Sequence, residues 1–443
     1  MKTVDEAAAA LDVSPRRVRA LIAAGKLDAE KVGGVWLIDE ASLARREDAD
    51  VDRRGGRPRH GASPEEMELV LMNREHAVVE AVYDSERNVF TKVGSLLDAA
   101  RAPLGLVNER GKISPAVLSS WWSDRGIPRA RKGVADILAS LGATVPEELV
   151  YRNLGLSLSD QYWVKPKQAD VTWSQLNFFD NDFEQLAMDS EGESDGPGRH
   201  PDNTSDGVLP KHWLVTPNRT RVLAKSGGEF LQEPCNEVVA SELCRRIMPA
   251  ARYVTYGLGG WSGSLACFCP NFLSDVEEFV PAHYVRMTQK QASHHSDYQH
   301  YLECCHALGV EEPELAISFG IVCDDLMANT DRHWRNFGLV RNVETLECRI
   351  APIFDTGSSL WHDRPDLLSS RDFTFTGKQF EANPGRQLQL AELDWLETAA
   401  IQDLDEFARE ILSKSLLPEE RIGLICQGIR WRVGRMTSIR EYL

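Results

Sequence analysis

The octet Asn329-Thr330-Asp331-Arg332-His333-Trp334-Arg335-Asn336 decides how the C-terminal half of this chain is interpreted, and Ile350-Ala351-Pro352-Ile353-Phe354-Asp355 follows it. A carboxylate, an amide five positions later and a second carboxylate after two predicted strands suit phosphoryl transfer. They supply one oxygen to accept a hydroxyl proton and two to bind magnesium. The apolar helical spacing of residues 316–327 places the octet in a loop after a helix. A surface turn is the alternative for the octet alone, because turns also collect Asp, Asn and His.

The longer pattern resembles the HipA-like serine/threonine kinases. Their motif is Asn-x-Asp-x-His-x-x-Asn-Phe and then Ala-Pro-x-Tyr/Phe-Asp, and eight residues match it here: Asn329, Asp331, His333, Asn336, Phe337, Ala351, Pro352 and Asp355. The resemblance implies transfer of the γ-phosphate of ATP to a protein hydroxyl, with Asp331 as catalytic base and Asn336 and Asp355 as Mg²⁺ ligands. At this catalytic site we expect His333 to orient rather than carry a proton, because phosphoryl transfer depends mainly on positioning and metal. The phosphatidylinositol kinases share Asp-Arg-His-x-x-Asn, so a lipid or small-molecule kinase is the runner-up.

Two upstream residues complete the predicted nucleotide site. Lys225 ends a predicted strand, and Glu237 lies in the first turns of the next predicted helix. Kinases bind the α- and β-phosphates with a strand lysine that a helix glutamate holds. The HipA-like pattern Leu-Ile-Lys…Gln-Glu-Pro-x-Asn-Glu assigns the same pair, although Ala224 replaces the isoleucine. Lys225 and Glu237 by themselves would also fit a routine surface ion pair.

The predicted contacts to adenine and phosphate lie in two further segments. Cys269-Pro270-Asn271-Phe272 is the expected hinge, with Cys269 beside adenine through its backbone. Asn203-Thr204-Ser205-Asp206-Gly207 is small and hydroxyl-rich, so the backbone N–H groups at Ser205 and Gly207 are candidates to bind phosphate. A plain linker is the alternative, because no Gly-x-Gly-x-x-Gly is present. Members of the resembled family can autophosphorylate a serine in such a loop, which makes Ser205 the candidate here.

The first fifty residues predict a small DNA-binding module. Helices are expected over residues 4–11 and 15–24, the second with Ser14 as its N-cap and Pro15 at its first position, and a hairpin is expected over residues 30–38. The pattern resembles the excisionase/MerR-type winged helix-turn-helix domains over residues 3–46. That geometry puts the second helix in the major groove, with Arg16, Arg17 and Arg19 as DNA contacts and Lys31 on the wing. A solvated helix face is the alternative for the three arginines.

Affinity and charge bear on how this module would bind. One module of this size binds DNA weakly, so a homodimer or a second contact is implied. Arg53-Arg54-Gly55-Gly56-Arg57-Pro58-Arg59 follows as an AT-hook-like segment or a flexible basic tether. The net charge of −17 is unevenly distributed along the chain. Residues 1–60 hold 12 Lys/Arg against 11 Asp/Glu, a net charge of +1, and the remainder holds 38 against 56, a net charge of −18. DNA must therefore contact the first part of the chain.

The sequence predicts a multidomain α+β protein. The expected parts are a winged helix-turn-helix module (1–48), a basic linker (49–64), a mixed α/β domain of unknown role (65–187), an acidic glycine-containing linker with the phosphate loop (188–207), a kinase N-lobe (208–285) and a helical kinase C-lobe (286–443). Nine scattered cysteines without zinc spacing, and no run of membrane-spanning length, favour a cytoplasmic protein with reduced thiols and no membrane partner. The resemblance to HipA-like kinases also implies a toxin-like role, because these kinases often act in toxin–antitoxin systems. The non-enzymatic alternative is a transcription regulator whose kinase fold only senses ATP.

Several local expectations complete the prediction. Residues 66–82 and 133–141 have helical spacing, residues 83–93 suggest a hairpin, and the aromatic residues of the middle region are expected in the core. Asp324 and Asp325 are expected to anchor the catalytic loop through Arg332 or Arg335. In the second half of the last predicted helix, a solvated face is favoured over an acidic or nucleic-acid partner for four arginines: Arg430, Arg432, Arg435 and Arg440.

Overall fold

The computed structural model describes residues 2–11, 18, 22, 27–32, 35–39, 42, 66–131, 133–184 and 199–441. The chain divides into two compact units, residues 1–65 and residues 66–443. Among the described residues, none of the helices has the length and apolar character needed to cross a membrane. All nine cysteines are free, in agreement with the expected reduced thiols.

The N-terminal unit combines a helix with a small antiparallel sheet. Helix α1 (Val4–Leu11) follows strand β1 (Lys2–Thr3), and strands β2 (Ala29–Val32) and β3 (Val35–Ile38) form the predicted hairpin in the order β1-β3-β2. The backbone N–H of Thr3 donates to the Glu6 carboxylate at 2.8 Å, which caps the helix start. Val18 and Ile22 are helical and join the core of this unit, as the predicted second helix requires.

The middle region is built on a four-stranded antiparallel sheet in the order β6-β5-β4-β7. Its strands are β4 (Glu66–Asn73), β5 (His76–Asp84), β6 (Val89–Leu96) and β7 (Tyr162–Pro166). The helical spacing assigned to residues 66–82 is therefore wrong. Within each half of that segment the pattern alternates with period two, and Arg74 turns the chain between the strands with a φ of 50°. The described residues of the region also form four helices: α2 (Pro115–Ser123), α3 (Val134–Ser140), α4 (Pro146–Arg152) and α5 (Trp173–Leu176).

The aromatic residues of the middle region lie in the core, as predicted. Trp122, Trp163 and Phe178 have no exposed surface. Trp122 shares one hydrophobic cluster with residues of the following lobes, including Val239 and Ile425. The middle sheet is thus packed onto the rest of the second unit by a continuous core.

A second four-stranded antiparallel sheet carries the predicted phosphate-binding lysine. The order is β10-β11-β9-β8, with β8 (Lys211–Val215), β9 (Arg221–Ser226), β10 (Gly257–Trp261) and β11 (Ser264–Pro270). Helix α6 (Gln232–Ile247) packs against β11. Before β10, Tyr253 forms an isolated parallel bridge to Ile353.

The C-terminal half is mainly helical around a three-stranded sheet in the order β12-β13-β14. The strands are β12 (Glu277–Pro281), β13 (Gly338–Asn342) and β14 (Cys348–Ile350). The helices are α7 (Ala282–Val285), α8 (Asp297–Ala307), α9 (Pro313–Met327), α10 (Leu367–Ser370), α11 (Pro384–Leu388), α12 (Leu404–Leu412) and α13 (Glu419–Glu441).

Four of the five arginines of α13 have acidic partners within the chain, whereas Arg421 donates to the backbone carbonyls of Arg364 and Trp361. Arg435 donates to both oxygens of Asp325 at 2.6 and 2.7 Å, and the buried Arg432 lies beside the same carboxylate. Arg430 pairs with Asp405, and Arg440 lies 3.8 Å from Asp394. The expectation of a solvated face is therefore wrong for Arg432, which is buried, while Arg430 keeps 58% of its side chain exposed. The charges of this helix hold neighbouring segments together.

Candidate active site

The loop that carries Asp331 is fixed at both ends by hydrogen bonds. Ala328 ends α9 in the left-handed conformation with a φ of 51°, and this turn lets Asn329 fold back on the helix. The Asn329 side-chain amide donates to Asp324 at 2.8 Å, while its carbonyl oxygen accepts from the Asp331 backbone N–H at 3.0 Å. The Asp331 carboxylate is thereby held on a rigid loop with 35% of its side chain exposed.

Arg332 joins the Asp331 loop to the segment that carries Asp355. Its buried guanidinium donates to Asp324 at 3.0 Å and to the backbone carbonyl of Asn336 at 2.8 Å. It also donates to the carbonyl of Phe354 and to the Thr356 hydroxyl. Burial alone would lower the pKa of Arg332, but the adjacent Asp324 carboxylate raises it well above the ordinary value, so the group stays charged.

The predicted anchoring of the loop is confirmed for the pair Asp324 and Arg332, but the other two residues have different partners. Asp325 holds the arginines of α13, as described above. Arg335 forms a 2.6 Å ion pair with Asp124, which follows α2 in the middle region. The catalytic loop is therefore held from two sides, by its preceding helix and by the middle region.

Lys225 connects the two predicted sides of the nucleotide site. Its ammonium donates to Glu237 on α6 and to Asp355, and both contacts are direct. The second oxygen of Glu237 accepts from the Thr356 backbone N–H at 2.9 Å. Burial would raise the pKa of the Asp355 carboxyl, but Lys225 and Lys211 hold it well below its usual range. Lys225, Glu237 and Asp355, predicted from separate motifs, are therefore brought together.

Asn336 and Asp355 have the chemistry of a magnesium site. The Asn336 amide nitrogen donates to the Asp331 carbonyl at 2.9 Å, so its amide oxygen is the atom that can bind a cation. Amide and carboxylate oxygens are hard ligands, and Mg²⁺ is usually held by one or two protein ligands together with substrate phosphates and water. The donor set thus fits the ion.

His333 lies beside Asp331 rather than within a separate proton-transfer path. Its Nε2 is 4.0 Å from an Asp331 oxygen, and its Nδ1 accepts from the Arg335 backbone N–H at 3.2 Å. A neutral ring that accepts through Nδ1 carries its proton on Nε2, toward the carboxylate. This geometry suits the orienting role expected from the sequence.

The predicted phosphate loop is fastened to the middle region by a buried arginine. Arg131 donates to the backbone carbonyl of Ser205 at 2.5 Å and to that of Gly207 at 2.7 Å. Gly207 has a φ of 99°, and a Cβ there would lie 2.2 Å from the Lys211 ammonium nitrogen, so this position requires glycine. The sequence prediction missed both Arg131 and Lys211.

Lys211 is a second cation at the site. It begins β8 and donates to the Asp206 backbone carbonyl. Burial lowers the pKa of its ammonium to about 8, although the nearby Asp355 carboxylate opposes that shift. A lysine four residues after Gly207 was the signal available in the sequence.

Cys269 cannot serve through its side chain. It lies near the end of β11, where it pairs with Leu223 and is buried. Burial raises the pKa of its thiol to about 12, so the group stays neutral. Any contact between this residue and adenine would use the backbone, as the sequence prediction assumed.

One further cluster adjoins the phosphate loop. Glu184, His200 and His212 each place one potential metal-binding atom within 4.8 Å of the others. The His200 and His212 rings are stacked, with planes only 8° apart. A metal ion bound by an imidazole nitrogen lies in the plane of that ring, so two stacked parallel rings are not arranged to bind the same ion. Asp202 binds His212 and accepts from the Trp213 backbone N–H, so the cluster fastens the loop to β8.

The predicted DNA contacts are only partly within the described residues. Lys31 is exposed on β2, with its ammonium 5.8 Å from the centre of the Trp36 ring. Arg16, Arg17 and Arg19 lie outside the described residues, as does the basic segment 53–59. The DNA-contact assignment therefore stays a prediction.

Comparison with known protein families matches the resemblance found for the N-terminal residues. Residues 3–46 match the family described as a helix-turn-helix domain. A search of curated proteins found no match. Among solved structures, a proinflammatory kinase CtkA of Helicobacter pylori is 18% identical with a TM-score of 0.40, and the match covers 53% of this chain and 97% of that chain.

A chain from the complex of HipA, HipB and operator DNA of the Shewanella oneidensis MR-1 toxin–antitoxin system is 13% identical with a TM-score of 0.46. That match covers 84% of this chain and 99% of the other. The chain described above is a multidomain α+β protein with an N-terminal helix-turn-helix domain.

Proposed function

We propose that this chain is a HipA-like, ATP-dependent serine/threonine protein kinase. The observation that carries the proposal is that the buried ammonium of Lys225 contacts two carboxylates, Glu237 on α6 and Asp355 beyond β14. Kinases use this arrangement to bind the α- and β-phosphates and to place a metal ligand beside them. The Asp331 loop, tied to the Asp355 segment by Arg332, supports the same function.

In the proposed reaction the substrate hydroxyl oxygen forms a bond to the γ-phosphorus, and the bond from that phosphorus to the bridging oxygen of ADP breaks. Asp331 orients the hydroxyl and accepts its proton, while His333 orients Asp331. Asn336 and Asp355 would hold Mg²⁺, which neutralises charge on the phosphate oxygens when bound. Lys225 exchanges its contact with Asp355 for one with phosphate.

Lys211 would bind the phosphates from the opposite side. The backbone N–H groups of Ser205 and Gly207 would join it by leaving the Asp202 carbonyl and the Asp206 carboxylate, to which they donate in this structure. The loop that bears these groups is held by Arg131, so it is positioned before nucleotide arrives. A preformed loop loses less conformational entropy on binding. Adenine would lie beside the backbone at Cys269.

We further propose that the helix-turn-helix module binds DNA through Arg16, Arg17, Arg19 and Lys31, and that the chain acts on a cytoplasmic protein substrate as a toxin-like kinase. The match of residues 3–46 to a helix-turn-helix domain supports the DNA contact. A DNA reader and a kinase in one chain would allow autoregulation, and a homodimer would give two modules enough affinity for an operator.

The test is phosphate transfer from labelled ATP in a host lysate, followed by mass spectrometry of the labelled species. Wild type is expected to label protein serine or threonine, and Asp331→Asn to bind ATP without labelling. Lys414→Ala is the control, because its ammonium is half-exposed and 3.7 Å from Glu410 on α12. ATP binding by wild type without transfer would favour an ATP-sensing transcription regulator, and label in lipid or a small molecule would favour the other alternative.

A further inference from the structure

The catalytic carboxylate has a cationic partner from a distant segment. The Lys378 ammonium donates to an Asp331 oxygen at 2.6 Å, across 47 positions of sequence. Both side chains are accessible, with 54% of Lys378 and 35% of Asp331 exposed. An exposed ion pair of this kind adds little to stability, so stability is not a sufficient reason for its position.

The backbone around Lys378 is held firmly against the catalytic loop. The next residue but one, Phe380, packs edge-on against Trp334 and Phe337, with ring centroids 5.5 and 5.7 Å apart. Gln379 is buried, and its side-chain oxygen accepts from the Gln387 amide at 2.8 Å. These contacts fix where the Lys378 side chain begins, while its ammonium remains free to exchange partners.

The other cations of the catalytic loop are committed elsewhere. Arg332 is buried against Asp324, and Arg335 is paired with Asp124. Phosphoryl transfer needs positive charge near the oxygens of the phosphate that moves, because negative charge spreads over them in the transition state. Lys378 is the cation that the structure places at the carboxylate where the hydroxyl nucleophile would bind.

We propose that Lys378 binds the γ-phosphate and accompanies it during transfer. Without nucleotide the ammonium rests on Asp331, and with nucleotide it moves to γ-phosphate oxygens, which frees Asp331 for the hydroxyl. No bond to Lys378 forms or breaks in this step. The inference rests on the proposed kinase function and adds a catalytic residue that the motifs do not contain.

The test compares binding of the β,γ-imido analogue of ATP with binding of ADP, both with Mg²⁺, by titration calorimetry on the full chain. Lys378→Ala is expected to weaken binding of the imido analogue about tenfold, the size of one lost charge-assisted hydrogen bond, and to leave ADP binding unchanged. Lys378→Arg should keep part of the preference. Lys414→Ala, which also removes an exposed ion-paired lysine, should match wild type.

A second comparison separates direct binding from simple screening of Asp331. If Lys378 only neutralises that carboxylate, Lys378→Ala will have no effect in an Asp331→Asn background. Direct contact predicts that the loss persists there. If Lys378→Ala leaves the ratio of the affinities for the imido analogue and ADP as it is in wild type, the inference is overturned. An equal loss of affinity for both nucleotides is one such case.

The same experiments distinguish a failure of the proposed kinase function from a failure of the inference about Lys378. A wild-type chain that binds neither nucleotide overturns the proposed function together with this inference. A wild-type chain that transfers phosphate, but whose affinity ratio is unaffected by Lys378→Ala, overturns the inference alone. Binding without transfer still yields the ratio and therefore still decides the role of Lys378.

Discussion

Arg131 of the middle region donates a 2.7 Å hydrogen bond to the backbone carbonyl of Gly207, 76 positions further along the chain. The same guanidinium holds Ser205, and Asp124 holds Arg335 of the catalytic loop. A region that the sequence left without a role therefore contacts both the loop expected to bind phosphate and the loop expected to carry out transfer. The segment from Asp124, at the end of α2, to Arg131 therefore acts as a support for both loops.

We expect Arg131→Ala to release the phosphate loop. Two carbonyl groups lose a charged donor, at a cost of about 1–3 kcal/mol each where they stay buried. The Michaelis constant for ATP should rise several-fold, and amide hydrogen exchange over residues 203–208 should increase. Arg129→Ala is the matched control, because Arg129 lies two residues away with 69% of its side chain exposed and contacts Glu147 instead. Equal exchange rates in the two variants would contradict this role for Arg131.

Lys225→Met should abolish nucleotide binding and destabilise the fold. The substitution leaves Glu237, which is only 2% exposed, without its cation, and removing one partner of a buried pair costs about 3–5 kcal/mol. Thermal unfolding and binding of a fluorescent nucleotide measure the two effects.

The double variant Lys225→Met/Glu237→Gln separates stability from binding. It removes the uncompensated carboxylate, so the melting temperature should recover in part while nucleotide binding stays lost. The contrary outcome is that Glu237→Gln lowers the melting temperature of Lys225→Met as much as it lowers that of wild type. The two side chains would then not be coupled as the structure shows them.

The site residues that could be predicted from the sequence are those whose neighbours along the chain form a recognisable local pattern. Lys225 ends a strand, Glu237 opens a helix, and Asp331 and Asn336 share one loop, so each follows from short-range spacing. Lys378 acts through a contact 47 positions away from its partner, and nothing in the irregular segment around it marks that contact. Arg131 was missed for the same reason.

The local errors in the fold have a related cause. The apolar residues of the segment 66–82 fit a helical face only if the turn at Arg74 is ignored, and a left-handed arginine gives no sequence signal of the kind that glycine gives. The arginines of α13 are spaced along the sequence as they would be on a solvated helix face, so their spacing does not reveal their ion pairs. Their acidic partners, including Asp325 and Asp405, come from segments far away in sequence.

DNA binding can be tested with the exposed wing lysine. If Lys31 contacts a DNA phosphate, Lys31→Ala should weaken binding to all sequences about equally and reduce the slope of log affinity against log salt by about 1. Operator sequences are first selected from a random pool by the full chain, and affinities are then measured by anisotropy over a salt series. Lys290→Ala, an exposed lysine outside the N-terminal unit, is the control. An unchanged slope would remove Lys31 from the contact set.

Nucleotide affinity should decrease in mildly alkaline solution because of Lys211. Burial lowers the pKa of this ammonium to about 8, so the free protein loses this charge as the pH rises through that value. Phosphate binds the protonated form, and binding above pH 8 must therefore include proton uptake. Affinity for the imido analogue with Mg²⁺ should be constant below the pKa and fall above it.

Lys225 does not produce the same dependence. Burial would lower its pKa, but Asp355 and Glu237 raise it well above the ordinary value, so this ammonium stays charged over the same interval. Lys211→Arg should therefore flatten the profile, since a guanidinium keeps its proton, and Lys211→Met should give weak binding that is independent of pH. Titration calorimetry in two buffers of different ionisation enthalpy measures the proton uptake directly. A profile that is identical in wild type and Lys211→Arg would show that another group titrates and that Lys211 does not bind the phosphates.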